Sequence, residues 1–246
     1  LTDVTGVQTC ALPIWLIGRG VIDANGHIVR ELGLNMSELT IRNSEDIQVE
    51  DIVLRNSPSW TVHILGSRRV SFENVKIIAD WAVGNTDGIN PDCSQSVTLK
   101  NCFGYCGDDV VAVKTTSSHS SLSGSRDISV VGCIAMTRKT AFKIGTETHK
   151  DVSNVVFDGC EAVHSSRGIG IYVRDGATVS GIKYRNLALG LREYPGEGSS
   201  GRPCTITVEK RGGVGKARNI TFENVDVSAP YGSVIAGRED SIIRDI

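Results

Sequence analysis

Aromatic side chains make up only 5% of the 246 residues, and no apolar run approaches the about 18 residues that a membrane-spanning helix needs. Set beside 27 glycines, the first shortage favours many short strands and turns over a helical bundle. The second predicts a soluble protein without a membrane partner. A surplus of either charge is missing too. The formal net charge of −2 gives no global basic field, so nucleic acid is not expected as a partner. What the chain has is 40% hydrophobic content, enough for one sizeable core and marginal for two, and a single domain is expected.

The segment Val4–Ile14, VTGVQTCALPI, resembles what one reading frame of a widely used short-read sequencing adaptor encodes. Residues 1–14 are therefore set aside as not native, the alternatives being a real apolar segment or a damaged signal peptide. On this view native sequence starts near Trp15. The other end stops at SIIRDI after Pro230 without finishing a repeat, so truncation is expected at both ends of a domain spanning 15–246. Setting Cys10 aside leaves Cys93, Cys102, Cys106, Cys133, Cys160 and Cys204.

Internal repeats set the architecture. IQVED (47–51), VSFEN (70–74), VTLKN (97–101), ISVVG (128–132), VVFDG (155–159), IKYRN (182–186) and ITFEN (220–224) each alternate apolar and polar residues with period two. Each ends at Asp, Asn or Gly, the residues that tolerate a left-handed bend. Their starts lie 23, 27, 31, 27, 27 and 38 positions apart, too close for a full crossover helix in each unit. The L-x-x-L-x-L-x-x-N consensus of a leucine-rich horseshoe is absent. The fold class expected is all-β, a parallel β-helix. The next residue of each repeat is Ile52, Val75, Cys102, Cys133, Cys160, Leu187 or Val225, so three cysteines share one interior column and are expected as core rather than disulfides.

A second strand in each coil begins at Trp60, Asp87, Asp109, Thr140 or Arg167. Two residues on, Val62, Ile89, Val111, Phe142 and Ile169 should point inward. The next position, His63, Asn90, Ala112, Lys143 and Gly170, should point to solvent. Parallel strands in register sit about 4.8 Å apart, so Asp87 and Asp109 should neighbour each other across one rung with Asp108 beside them. Three crowded carboxylates push at least one pKa upward, a cost that points to function. Turn formation alone, or a calcium site, are the bland alternatives, although calcium wants about six to eight oxygens.

NTDG at Asn85–Gly88 and GDD at Gly107–Asp109 together resemble the signature of the polygalacturonase-like glycoside hydrolases, family 28. Weaker echoes are GRGVIDANG (18–26) and NSPSWTVH (56–63), and the resemblance covers nearly all of Leu16–Pro230. It implies a single-stranded right-handed β-helix and an inverting hydrolysis. Asp108 would protonate the glycosidic oxygen while Asp87 and Asp109 activate the attacking water, with no metal or cofactor. A bare rung is nearer the retaining carboxyl separation than the about 6.5–9.5 Å of inverting enzymes, so side-chain direction must open the gap. The resemblance further implies a secreted or periplasmic monomer acting on polysaccharide.

Two departures matter. The family's HG motif falls on Thr140 and Ala141, so the histidine that would tune the neighbouring aspartate is missing. Its R-I-K motif falls on Gly170, Ile171 and Tyr172, removing two cations that grip a uronate carboxylate. Lys143, Arg167 and Arg174 are nearby candidates for substrate binding, with His63 and Tyr172, against the alternative that they form a solvated face. Trp60 shares the face of His63 and could join a subsite or simply pack. His119 and His149 are expected in loops, and the insertion Arg192–Pro203 could rim the cleft. A calcium-dependent polysaccharide lyase and an inactive carbohydrate-binding β-helix remain alternatives. An extended acidic cluster for the first is absent, and the missing histidine is the best support for the second.

Overall fold

The computed structural model describes residues 13–116, 122–198 and 200–246; Cys10 and His119 lie outside them. Among the described residues the chain forms short parallel strands, with one 6-residue helix, Gly26–Glu31. The strands group into an 8-stranded sheet and a 14-stranded sheet that supplies the other two faces of the coil. This is a parallel β-helix. The seven repeat cores stack in one register column, Ile47 on Val70, Val70 on Val97, Val97 on Ile128, and onward through Val155 and Ile182 to Ile220. All seven turn residues adopt the left-handed conformation, with φ between 51° at Asn224 and 62° at Gly132. The chain bends there because Asn, Asp and Gly bear that conformation at least cost.

Inward residues of the three faces meet along the axis. Phe157 stacks on Tyr184 at 4.8 Å between ring centroids, and Tyr184 on Phe222 at 5.5 Å, because register sets like residues one above another. Cys102, Cys133 and Cys160 are buried free thiols, as are Cys93, Cys106 and Cys204. The three columnar thiols lie close to main-chain carbonyl oxygens, Cys160 Sγ at 3.4 Å from both Val130 O and Asp158 O.

The 8-stranded sheet carries the heads identified above. Its strands run in spatial order β1 (Leu39–Arg42), β2 (Val62–Leu65), β3 (Ile89–Asp92), β4 (Val111–Thr115), β5 (Thr140–Thr148), β6 (Arg167–Asp175), β7 (Arg202–Gly213) and β8 (Val234–Ala236). Val62, Ile89, Val111, Phe142 and Ile169 share one row and are buried in the core.

Candidate active site

Asp87 ends the loop before β3, and Asp108 and Asp109 end the turn before β4. The two heads are adjacent: Gly88 N donates to Asp109 O at 2.8 Å and Ile89 N to Val110 O at 2.8 Å. The flanking glycines are there for close approach. A Cβ on Gly88 would stand 2.4 Å from Val110 O, and one on Gly107 would stand 2.3 Å from Val83 O. Only a residue without a side chain lets these backbones touch, which is why carboxylates and glycines alternate in this stretch.

Each aspartate is held differently. Asp108, half-buried, accepts hydrogen bonds from Asn85 N and Asp109 N, both at 2.9 Å. Asp109, almost wholly buried, accepts from Thr140 N at 3.1 Å and from Lys143 Nζ at 2.5 Å. Asp87 is as deeply buried, and its Oδ2 makes no aligned hydrogen bond, although Lys114 Nζ lies 3.4 Å away.

Electrostatics follow from those contacts. Burial, with the charges of Asp109 and Asp108, pushes Asp87 up to about 7 against the pull of Lys114 and Lys143. Burial and the Asp109 charge also raise Asp108, opposed by its two amide donors. Burial works upward on Asp109 too, yet Lys143 and Lys114 outweigh it and hold this carboxyl below its ordinary value. The trio thus combines one carboxylate kept charged with two carboxyls that hold protons more tightly than usual.

The column expected to face solvent requires correction. His63, Asn90, Ala112, Lys143 and Gly170 do stack in register on the outer side of the sheet. Asn90 and Ala112, however, have no exposure, and the Lys143 and His63 side chains are only 12% and 14% exposed. Long side chains fold back over this face. The Trp60 ring meets His63 edge-on at 5.0 Å, and Lys114 Nζ stands 4.5 Å above the Trp60 ring.

His63 Nε2 is 3.0 Å from Asp92 Oδ2, and Asp92 accepts in turn from Thr116 N and Oγ1. Lys143 contacts Asp109 rather than standing alone. Arg167 donates to Thr140 Oγ1 and Gly198 O, and Arg174 pairs with Glu209 at 3.0 Å, so both arginines are engaged. The Tyr172 ring lies across Gly170: a Cβ there would meet Tyr172 Cε2 at 2.6 Å. Lys143 and Arg174 flank that ring at 5.5 Å and 5.8 Å from its centroid.

The insertion is tied to the turn before β5 and to the loop before β3. Glu197 pairs with Arg138 and Lys139, and Tyr194 packs against Trp81 at 5.8 Å between ring centroids, with Trp81 stacked on Tyr105. His149 sits in a bend, 3.7 Å from Asp175. Lys114, Glu147 and Asp92 were not singled out from the sequence. The alternation that places Ala112 outward places Lys114 outward as well, and that was the available signal.

A family model for glycosyl hydrolases family 28 matches residues 14–196. The chain belongs to that family. Among curated relatives, a probable polygalacturonase of Vitis vinifera is 44% identical over 72 residues, 29% of this chain and 15% of the relative. A polygalacturonase of Juniperus ashei is 26% identical over 196 residues, 73% of this chain and 38% of the relative. The chain therefore spans well under half the length of these two family 28 relatives. The polygalacturonase of Erwinia carotovora ssp. carotovora superposes with a TM-score of 0.69 at 21% identity, over 90% of this chain and 69% of that one, and so shares the β-helix fold.

Proposed function

We propose that this family 28 chain carries the catalytic apparatus of a glycoside hydrolase acting on a pectin-related or neutral polysaccharide, with inversion at the cleaved carbon. The observation that carries this is the unequal treatment of three neighbouring carboxyls. Asp108, raised by burial, half-buried and held by two amide donors, supplies the proton to the leaving oxygen. Asp109, kept ionised by Lys143, supplies the negative charge beside the attacking water. Asp87, at about 7, is a strong base for a carboxylate once ionised, and takes the proton the water gives up. Lys143 in this scheme does for Asp109 what the missing histidine would do elsewhere in the family. The two alternatives are tested by the same assay: hydrolysis yields reducing ends without an unsaturated product, lyase action yields that product, and a binding module yields neither.

Asp108→Asn should remove most turnover while leaving the fold intact, because an amide cannot protonate a leaving group. Variants of all three aspartates that retain wild-type rates would exclude the assignment. The anomeric configuration of the first product, read by NMR, decides between inversion and retention.

Substrate choice follows from Tyr172. Its ring occupies the space over Gly170, and Lys143, Arg167 and Arg174 are already engaged, so the subsite offers a flat aromatic face rather than a cation for a uronate carboxylate. A neutral or mixed polysaccharide is the preferred substrate, and plain polygalacturonate a poor one. A higher kcat/KM on unmodified polygalacturonate than on neutral or mixed glycans would reverse this. Secretion or a periplasmic location fits a polysaccharide substrate.

A further inference from the structure

We propose that Lys114 is the positioning residue of this site, a buried ammonium braced by Glu147 and Trp60 that fixes the Asp87 carboxyl for its part in moving the water's proton; this rests on the hydrolase reading above. Lys114 falls on the outer side of β4 by strand alternation, yet only 4% of it is exposed. A lysine is normally left in water, and burying its charge is unfavourable unless partners surround it. Here they do. Nζ lies 3.4 Å from Asp87 Oδ2, 3.3 Å from Glu147 Oε2, and 4.5 Å above the Trp60 ring.

The geometry matters because of what Asp87 otherwise lacks. Its Oδ2 has no aligned hydrogen bond and almost no exposure, and among the described residues the Lys114 ammonium is the cation within ion-pair distance of that oxygen. Other charged groups around Lys114 come from every neighbouring strand. Asp92 at the end of β3 is turned to His63 and Thr116. Asp109 at the head of β4 is turned to Lys143 of β5, and Glu147 of β5 takes the remaining side of the ammonium. Burial alone would favour the neutral amine, but Asp87, Asp109 and Glu147 outweigh it and raise Lys114 above its ordinary value. It therefore stays charged across the working range and cannot serve as the proton carrier itself.

The test pairs two substitutions whose effects have opposite sign. Lys114→Gln removes the charge beside Asp87, so the acid limb of the kcat/KM profile should move to higher pH by about one unit or more, with kcat falling and KM little changed. Lys114→Arg should restore the wild-type limb. Glu147→Gln leaves the ammonium to Asp87 and should move the limb the other way. A folded Lys114→Gln whose limb stays in place overturns the proposal, as does a Glu147→Gln shift in the same direction as that of Lys114→Gln. Should Lys114→Gln fail to fold, the Glu147→Gln shift decides alone. Carboxyl carbon titration of Asp87 by NMR, in wild type and variants, reads the same shift without turnover. A wild type inert on every polysaccharide would defeat the hydrolase reading, while the Asp87 titration would still support or overturn the role of Lys114.

Discussion

Three chemically identical side chains meet different surroundings here, and those surroundings set how tightly each holds a proton. An ammonium on Asp109 favours its charged form; burial and charged neighbours oppose the ionisation of Asp87 and Asp108. Lys143→Met should therefore leave a buried carboxylate unpaired and destabilise the protein by about 3–5 kcal/mol at neutral pH. The sign with pH is definite. A carboxyl depressed in the folded state contributes stability above its unfolded value and loses it as pH falls through the folded one, so the wild type's advantage over Lys143→Met should shrink below about pH 4. Denaturant unfolding of both proteins at pH 7 and at about pH 3 checks this, and an equal difference at the two values contradicts it. At the same scale, Tyr172→Ala should lower kcat/KM on the preferred glycan about 3- to 10-fold, the worth of one ring contact. No loss would remove the aromatic face from the account of specificity.

Strand and turn together decide where those side chains stand. Gly88 and Gly107 do not adopt left-handed angles; they are small because neighbouring backbone oxygens come within 2.5 Å of where a Cβ would be. Gly88→Ala should thus cost about 1–3 kcal/mol by overpacking and displace Asp87, lowering activity more than stability. Thermal unfolding and kcat measured on the same preparation separate the two effects, and an alanine variant with native activity would show that the contact is not needed. The strands themselves were legible in the sequence, since period-two alternation and a turn residue every few positions are local signals, and the seven cores fell into one register as expected. The convergence of the three aspartates was legible for the same reason. The cover over Asn90 and Ala112 was not, because alternation says which side of a sheet a residue leaves from and nothing about long side chains folding back across it. The burial of Lys114 is hidden from the sequence for that reason, as is the flat seat that Gly170 gives Tyr172.

At the scale of the whole molecule, a stack of coils concentrates carboxyls in surroundings that pull in opposite directions, and the balance fixes the pH at which the protein is most stable. Asp175 is held down at about 2 chiefly by its bonds to Arg211, so its contribution is present above about pH 4 and is lost as pH falls toward 2. Asp87 at about 7 and Glu38 at about 8 act in the reverse sense. Their folded forms bind protons more tightly than the unfolded chain, so what these two groups contribute to stability is greatest below about pH 4 and declines as pH rises to 7 and 8. Glu38, just before β1 and outside the aspartate trio, is the clearer probe. Burial is the main cause of its shift, and neither carboxylate oxygen has an aligned hydrogen bond, although the Arg55 amide lies near enough to offset part of the cost. Glu38→Gln removes the charge without changing the shape. It should leave stability unaltered near pH 4, where both side chains are neutral, and raise Tm by at least about 2–4 °C at pH 8, where only the glutamate must ionise in a dry site. Thermal unfolding of both proteins across that range decides the point: a variant no more stable than wild type at pH 8 would mean that Glu38 is solvated, and that the alkaline loss of stability belongs to the aspartate trio alone.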